Sequence, residues 1–176
     1  MQATLLGAQA DYSLVMNMLS SYLWPLDERR IAEWLFAGVS LGGHMVWRLL
    51  REDPRVRVGV PIASVPPETL AMFITGSGSE YDIPVEGTAA AVRDYFSTQT
   101  LPSDFTGKHI LSLHGGADPI MGLNRMQDTL TRIGAYADHF EIYAEPGIGH
   151  QVTPEMVRRT AAWFWRFGMC EEGAKL

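Results

Sequence analysis

Apolar and polar positions along the chain follow two periods, and the switches between them mark out its elements. From Asp11 to Leu23, Leu14, Val15, Met18, Leu19 and Tyr22 recur at three- and four-residue spacing. That spacing predicts a helix. Asp11 or Ser13 can cap its start, and Trp24-Pro25 closes it, because a residue before proline is pushed out of the helical region. Asp27-Glu28-Arg29-Arg30 reads as a solvated turn. The short apolar run Trp34-Leu35-Phe36-Ala37 predicts a strand. Met45, Val46, Trp47, Leu49 and Leu50 predict a helix that stops at Asp53-Pro54. Val56 to Ala63 is apolar almost throughout, as a strand buried on both faces must be.

Pro66-Pro67 then opens an irregular insert spanning about 66–108. It carries two helical pieces, Glu68 to Ile74 and Thr88 to Phe96, around the loop Gly76-Ser77-Gly78-Ser79. An insert of that length in a compact domain reads as a lid. Beyond it come a strand from His109 to Leu113, a helix from Leu123 to Ile133 and a strand from Phe140 to Ala144. The glycine-rich loop Gly147-Ile148-Gly149-His150 and a helix from Pro154 to Phe167 complete the series. There is no internal repeat. Strands alternating with helices predict an α/β fold, a parallel sheet in three α/β/α layers.

Composition narrows the partners. A chain of 176 residues with 47% hydrophobic content is expected to form one globular domain over 1–176. The net charge is −6 and the basic residues are nearly all arginines scattered along the chain, which argues against nucleic acid. Cys170 is the only cysteine, so there is no disulfide framework and no metal-type cysteine spacing. The first residues lack the features of a signal peptide, and no run suits a bilayer. The expectation is a cytoplasmic protein without a membrane partner.

The candidate chemistry centres on Gly38-Val39-Ser40-Leu41-Gly42, set between a predicted strand and a predicted helix. That context makes G-x-S-x-G a nucleophile elbow. The turn is expected to be tight enough that a Cβ at either flank would clash, so glycine stands on both sides. The plainer alternative is a strand-to-helix turn whose serine caps the helix. Further along, two predicted strand ends supply Asp118 and His150. Carboxyl ends of strands are where open α/β sheets collect functional residues. A serine hydroxyl is a weak nucleophile and needs a base, the role expected of His150, with Asp118 orienting the imidazole. His114 reads as a structural residue of the acid loop, and His44, His109 and His139 as helix-face or surface residues. No helical H-x-x-x-H pair supports a metal, and no cofactor is expected.

These motifs, with His114-Gly115-Gly116-Ala117-Asp118 and Gly149-His150, resemble the α/β-hydrolase superfamily. The likeness is to single-domain esterases, dienelactone hydrolases and prolyl-oligopeptidase-like enzymes, including fungal members. The resemblance implies cleavage of an ester, thioester or lactone through an acyl-serine. The backbone N–H of Leu41 would be one oxyanion donor, and if the chain belongs to a biosynthetic pathway the substrate would be a tethered or lactonised intermediate. A full fold of this kind has about four strands before the elbow strand, roughly a hundred residues that this chain lacks. The loop supplying the second oxyanion donor goes with them. Trp34 to Ala37 would then be a bare apolar edge, open to another chain and suited to a homodimer. Three readings follow: a truncated serine hydrolase, a short hydrolase completed by dimerisation, and a non-catalytic remnant acting as an interaction module. Met72, Phe73, Ile74, Tyr81, Tyr95 and Phe96 of the insert would line an acyl pocket, or simply pack on the sheet.

Overall fold

Each predicted strand forms, and all four run parallel. The computed structural model describes residues 2–67, 69–70 and 101–169. Its elements in chain order are α1 (Gln2–Leu23), β1 (Trp34–Val39), α2 (Leu41–Glu52) and β2 (Val56–Ile62). After the insert come β3 (His109–Gly115), α3 (Gln127–Gly134), β4 (His139–Glu145) and α4 (Pro154–Phe164). Short 3-10 turns at Pro102–Phe105 and Leu123–Arg125 precede β3 and α3, and a π-helical turn, Trp165–Met169, prolongs α4. The predicted helix over 123–133 is therefore two pieces, and the one over 154–167 changes its winding near the end.

The strand order is β1-β2-β3-β4, with β1 at one edge. Val39 stands beside Ile62, Ile62 beside Leu113 and Leu113 beside Tyr143. All four carboxyl ends thus fall along one rim, because parallel strands joined by crossover helices present the same end together. Side chains alternate between two faces. Val58, Val60, Ile62, Leu111 and Leu113 pack with Met156 and Trp163 of α4. Ile110 faces the other way, as does Val56, where the β1–β2 register shifts between Trp34 and Leu35; they pack toward Val46, Leu49 and Leu50 of α2, Leu130 and Ile133 of α3, and Met16 of α1. The result is the three-layer sheet expected. Gly59 lets α2 lie close, since a Cβ there would meet Leu50 Cδ1 at 2.7 Å and Val46 Cγ1 at 3.0 Å.

The apolar spacing of α1 does not mark its inward face. Leu14, Val15, Met18 and Tyr22 are exposed, Tyr22 at 82%, whereas Met16 is buried and Tyr12 meets Phe36 edge-on at 5.5 Å. The helix is apolar nearly all round, so periodicity alone did not select its inward face; the contact with β1 and α2 does. The helix also starts well before the predicted Asp11 or Ser13 cap.

Candidate active site

The rim where the strands end carries the candidate site, and three loops build it. The first is the turn between β1 and α2. Ser40 has φ 51° and ψ −113°, a backbone conformation that L residues avoid. Its N–H donates to the Ile62 carbonyl at 2.8 Å, one step beyond the β1–β2 ladder. Its side chain makes no capping bond to α2, so the plain N-cap alternative does not describe it. The expectation that both flanking glycines avoid a clash is half right. A Cβ on Gly38 would overlap the Gly42 carbonyl, but one on Gly42 meets nothing within 4 Å. The second constrained glycine is Gly43, whose Cβ would overlap the Ser64 hydroxyl and meet Ile62 O at 2.9 Å. The distinction is not visible in a five-residue motif, because the neighbour at issue lies at the end of β2.

The second and third loops follow β3 and β4 and hold each other. Gly116 N–H donates to Glu145 O at 2.7 Å and Ala117 N–H to Ile148 O at 2.8 Å. This approach is why glycine stands at 115 and 116: a Cβ on Gly115 would overlap the Ile148 and Gly149 carbonyls, and one on Gly116 would meet Glu145 O at 2.9 Å. Gly147 turns the histidine loop at φ 72°. Thr153 then caps α4 by accepting from Met156 N–H at 3.2 Å, with Pro154 in the first turn.

These loops bring Ser40, Asp118 and His150 into one hydrogen-bonded line. His150 Nε2 is 2.9 Å from Ser40 Oγ, and His150 Nδ1 is 2.8 Å from Asp118 Oδ2. The other carboxylate oxygen accepts from the N–H groups of Ile120, at 2.8 Å, and Met121, at 3.0 Å. Burial acts to raise the Asp118 carboxyl, but the Met121 N–H, the His150 ring and the Ile120 N–H outweigh it and hold it below its ordinary value. An ionised Asp118 can only accept, so it favours the tautomer in which His150 Nδ1–H donates to it, and in that tautomer Nε2 faces the Ser40 hydroxyl as an acceptor. Leu41 opens α2, and a first-turn N–H has no intrahelical acceptor.

The remaining histidines are placed differently from one another. His114 lies within β3 rather than in the acid loop, fully buried, with Nε2 2.7 Å from Ser112 Oγ. Burial lowers its pKa to about 4 against the opposing pull of Asp118. His44 is not a surface residue: it is 4% exposed and bonded to Val65. His109 and His139 pair at 3.0 Å between their Nδ1 atoms at the far rim. The described residues hold no group of three or more side chains fit for a metal ion. None of the described helices is long and apolar enough to cross a membrane. Met72, Phe73, Tyr81 and Phe96 lie outside the described residues.

A parallel sheet with a strained serine after one strand, an acid loop after the next but one and a histidine loop after the last is the α/β-hydrolase fold. No protein-family model matches the chain, and a search of curated proteins returns no match. Solved structures do match. TT1662 from Thermus thermophilus is 24% identical with a TM-score of 0.59, over 75% of this chain and 53% of that one. SOBER1 from Arabidopsis thaliana is 16% identical with a TM-score of 0.54, over 93% and 64%. The Pyrococcus furiosus esterase Pf2001 is 17% identical with a TM-score of 0.56, over 84% and 58%. The chain thus spans between about half and two thirds of the length of these three relatives.

Proposed function

We propose that this chain carries the catalytic machinery of a serine hydrolase that cleaves a carboxylic ester, thioester or lactone through an acyl-serine intermediate. The observation carrying the reading is the unbroken relay from Ser40 Oγ through His150 to Asp118, at 2.9 and 2.8 Å, anchored on a serine held at φ 51°. Similarity of fold to an esterase supports the same class.

In this reading Ser40 Oγ attacks the acyl carbon as its proton passes to His150 Nε2. The carbonyl oxygen takes up the displaced electron pair and is stabilised by the Leu41 N–H. Asp118 keeps Nδ1 protonated and stabilises the imidazolium. Collapse of the tetrahedral species breaks the bond to the leaving oxygen or sulfur, which takes the proton from His150. Water, deprotonated by the same nitrogen, then releases the acid and restores the serine.

The deciding experiment is labelling with a fluorophosphonate probe, followed by peptide mapping. Adduct on Ser40 that disappears in His150→Ala supports the reading. A folded chain that takes up no label at Ser40 ends it.

A further inference from the structure

His44 has no part in that relay, yet it closes a ring of bonds around the serine. Its backbone N–H donates to the Ser40 carbonyl at 3.0 Å, the first bond of α2. Its ring nitrogen Nδ1 lies 3.1 Å from the Val65 carbonyl and 3.3 Å from the Val65 amide nitrogen, so in either tautomer it meets a backbone partner on Val65: protonated it donates to the carbonyl, unprotonated it accepts the N–H. Two residues back along that segment, Ala63 stands at φ 47°, a left-handed conformation without glycine. Its own N–H is tied to Leu113 O at 2.8 Å. Immediately before it, the Ile62 carbonyl accepts the Ser40 N–H. The ring runs from Ser40 to His44, across to Val65, back through Ala63 to Ile62, and returns to Ser40. Strained residues stand on both sides of it, and strain of this kind persists only where the surroundings over-determine it.

Inside the ring, Gly43 presses on Ser64, so the two segments are in contact as well as bonded. Burial is the largest influence on the His44 ring and lowers its pKa; the Val65 bond opposes this and nearby His150 adds to it. The ring is therefore neutral near pH 7 and adds no charge beside the proposed base.

We propose that His44 is a positioning residue of the elbow: by bonding the Val65 backbone through Nδ1 it fixes the Ile62–Val65 turn, and through Ile62 O it keeps Ser40 in its reactive conformation. The proposal rests on Ser40 being the nucleophile. It differs from simple core packing in what must replace the ring. Packing needs volume, whereas this role needs a polar atom at the third position out from Cα. Asparagine supplies one, with a donor and an acceptor to match the two groups of Val65.

The test compares wild type, His44→Leu and His44→Asn in fluorophosphonate labelling rate, in kcat and KM on p-nitrophenyl acetate, and in amide exchange at Ser40. For leucine, labelling and kcat are expected to fall at least about tenfold, since small misplacements of a reacting atom carry costs of that order or larger. KM should change little, and Ser40 amide exchange should quicken. Asparagine is expected to restore all three to within about threefold, whatever its thermal unfolding midpoint. A leucine variant labelled at the wild-type rate overturns the proposal, as does a folded asparagine variant as slow as leucine. Should leucine fail to fold, asparagine alone decides: labelling within threefold of wild type supports the role, and slower labelling overturns it. Wild type without label at Ser40 would instead defeat the hydrolase reading itself.

Discussion

The two rims of the sheet are built on opposite principles. At the carboxyl rim, Ser40 and Ala63 stand at positive φ without being glycine, and Gly38, Gly43, Gly115 and Gly116 sit where a Cβ would collide with a neighbour. At the amino rim, side chains staple the strands. Lys108 Nζ donates to the Val56 carbonyl at 2.7 Å and to the Asp53 carbonyl at 3.1 Å. Phe167 stacks on His109 at 4.7 Å and packs on His139 at 4.6 Å. Gly107 takes φ 77° there, which glycine adopts without strain. Of the three non-glycine residues at positive φ among those described, Ser40 and Ala63 stand where chemistry is proposed and Asp27 in the loop leading to β1, while the opposite rim supplies ordinary cohesion.

That contrast can be broken from either side. The largest effect is expected at the relay: Ser40→Ala should remove labelling and turnover, and Asp118→Asn should cut kcat about 10⁴-fold by favouring the wrong imidazole tautomer. Both should leave the thermal unfolding midpoint of wild type nearly in place. Next come the crowded glycines. Gly115→Ala and Gly43→Ala should each cost about 3 kcal/mol in denaturant unfolding, the upper end of ordinary overpacking, because backbone has to move. Gly42→Ala, with room for its Cβ, should cost nothing or stabilise α2 by up to about 1 kcal/mol.

Acid should sharpen the comparison further. His114 and His44 both have folded pKa values below 6.5, His114 at about 4, so the unfolded chain binds more protons between those values. Stability is therefore full above about pH 6.5 and falls as pH drops toward 4. Each histidine in transition contributes about 1.4 kcal/mol per pH unit. Asp118, depressed below 3.8, contributes fully above that value and loses its contribution as pH falls from there through its own lower value. Denaturant midpoints at pH 7.5, 6 and 5 measure this, and His114→Gln should flatten the slope. The smallest effect belongs to the amino rim. Lys108→Met should lose about 1–2 kcal/mol by leaving the Val56 and Asp53 carbonyls unpaired, with labelling of Ser40 unchanged.

Much of this was legible along the chain because it is local. Alternation and apolar runs located all four strands within a residue or two, and turn residues located the loops that carry Ser40, Asp118 and His150. A strand end is a short-range property, and three of them on a parallel sheet must share a rim. The errors share a cause as well. The spacing of Leu14, Met18 and Tyr22 does not mark the inward face of α1, Gly42 is not the crowded glycine expected, and of the two readings of His44, helix face or surface, only the first fits. In each case the deciding neighbour is distant in sequence: Phe36 for the facing of α1, Ser64 for Gly43, and Val65 for His44.

By itself, then, the sequence determined the order of elements, the parallel α/β class and the three residues that strand ends could offer, since each follows from periodicity and turn chemistry within about ten positions. Tertiary structure alone decided that those residues join in one line of hydrogen bonds. It also decided which glycines are irreplaceable and which histidine braces the elbow. Such facts depend on distances between backbone segments brought together by strand register, and register is a property of the packed sheet rather than of any one segment.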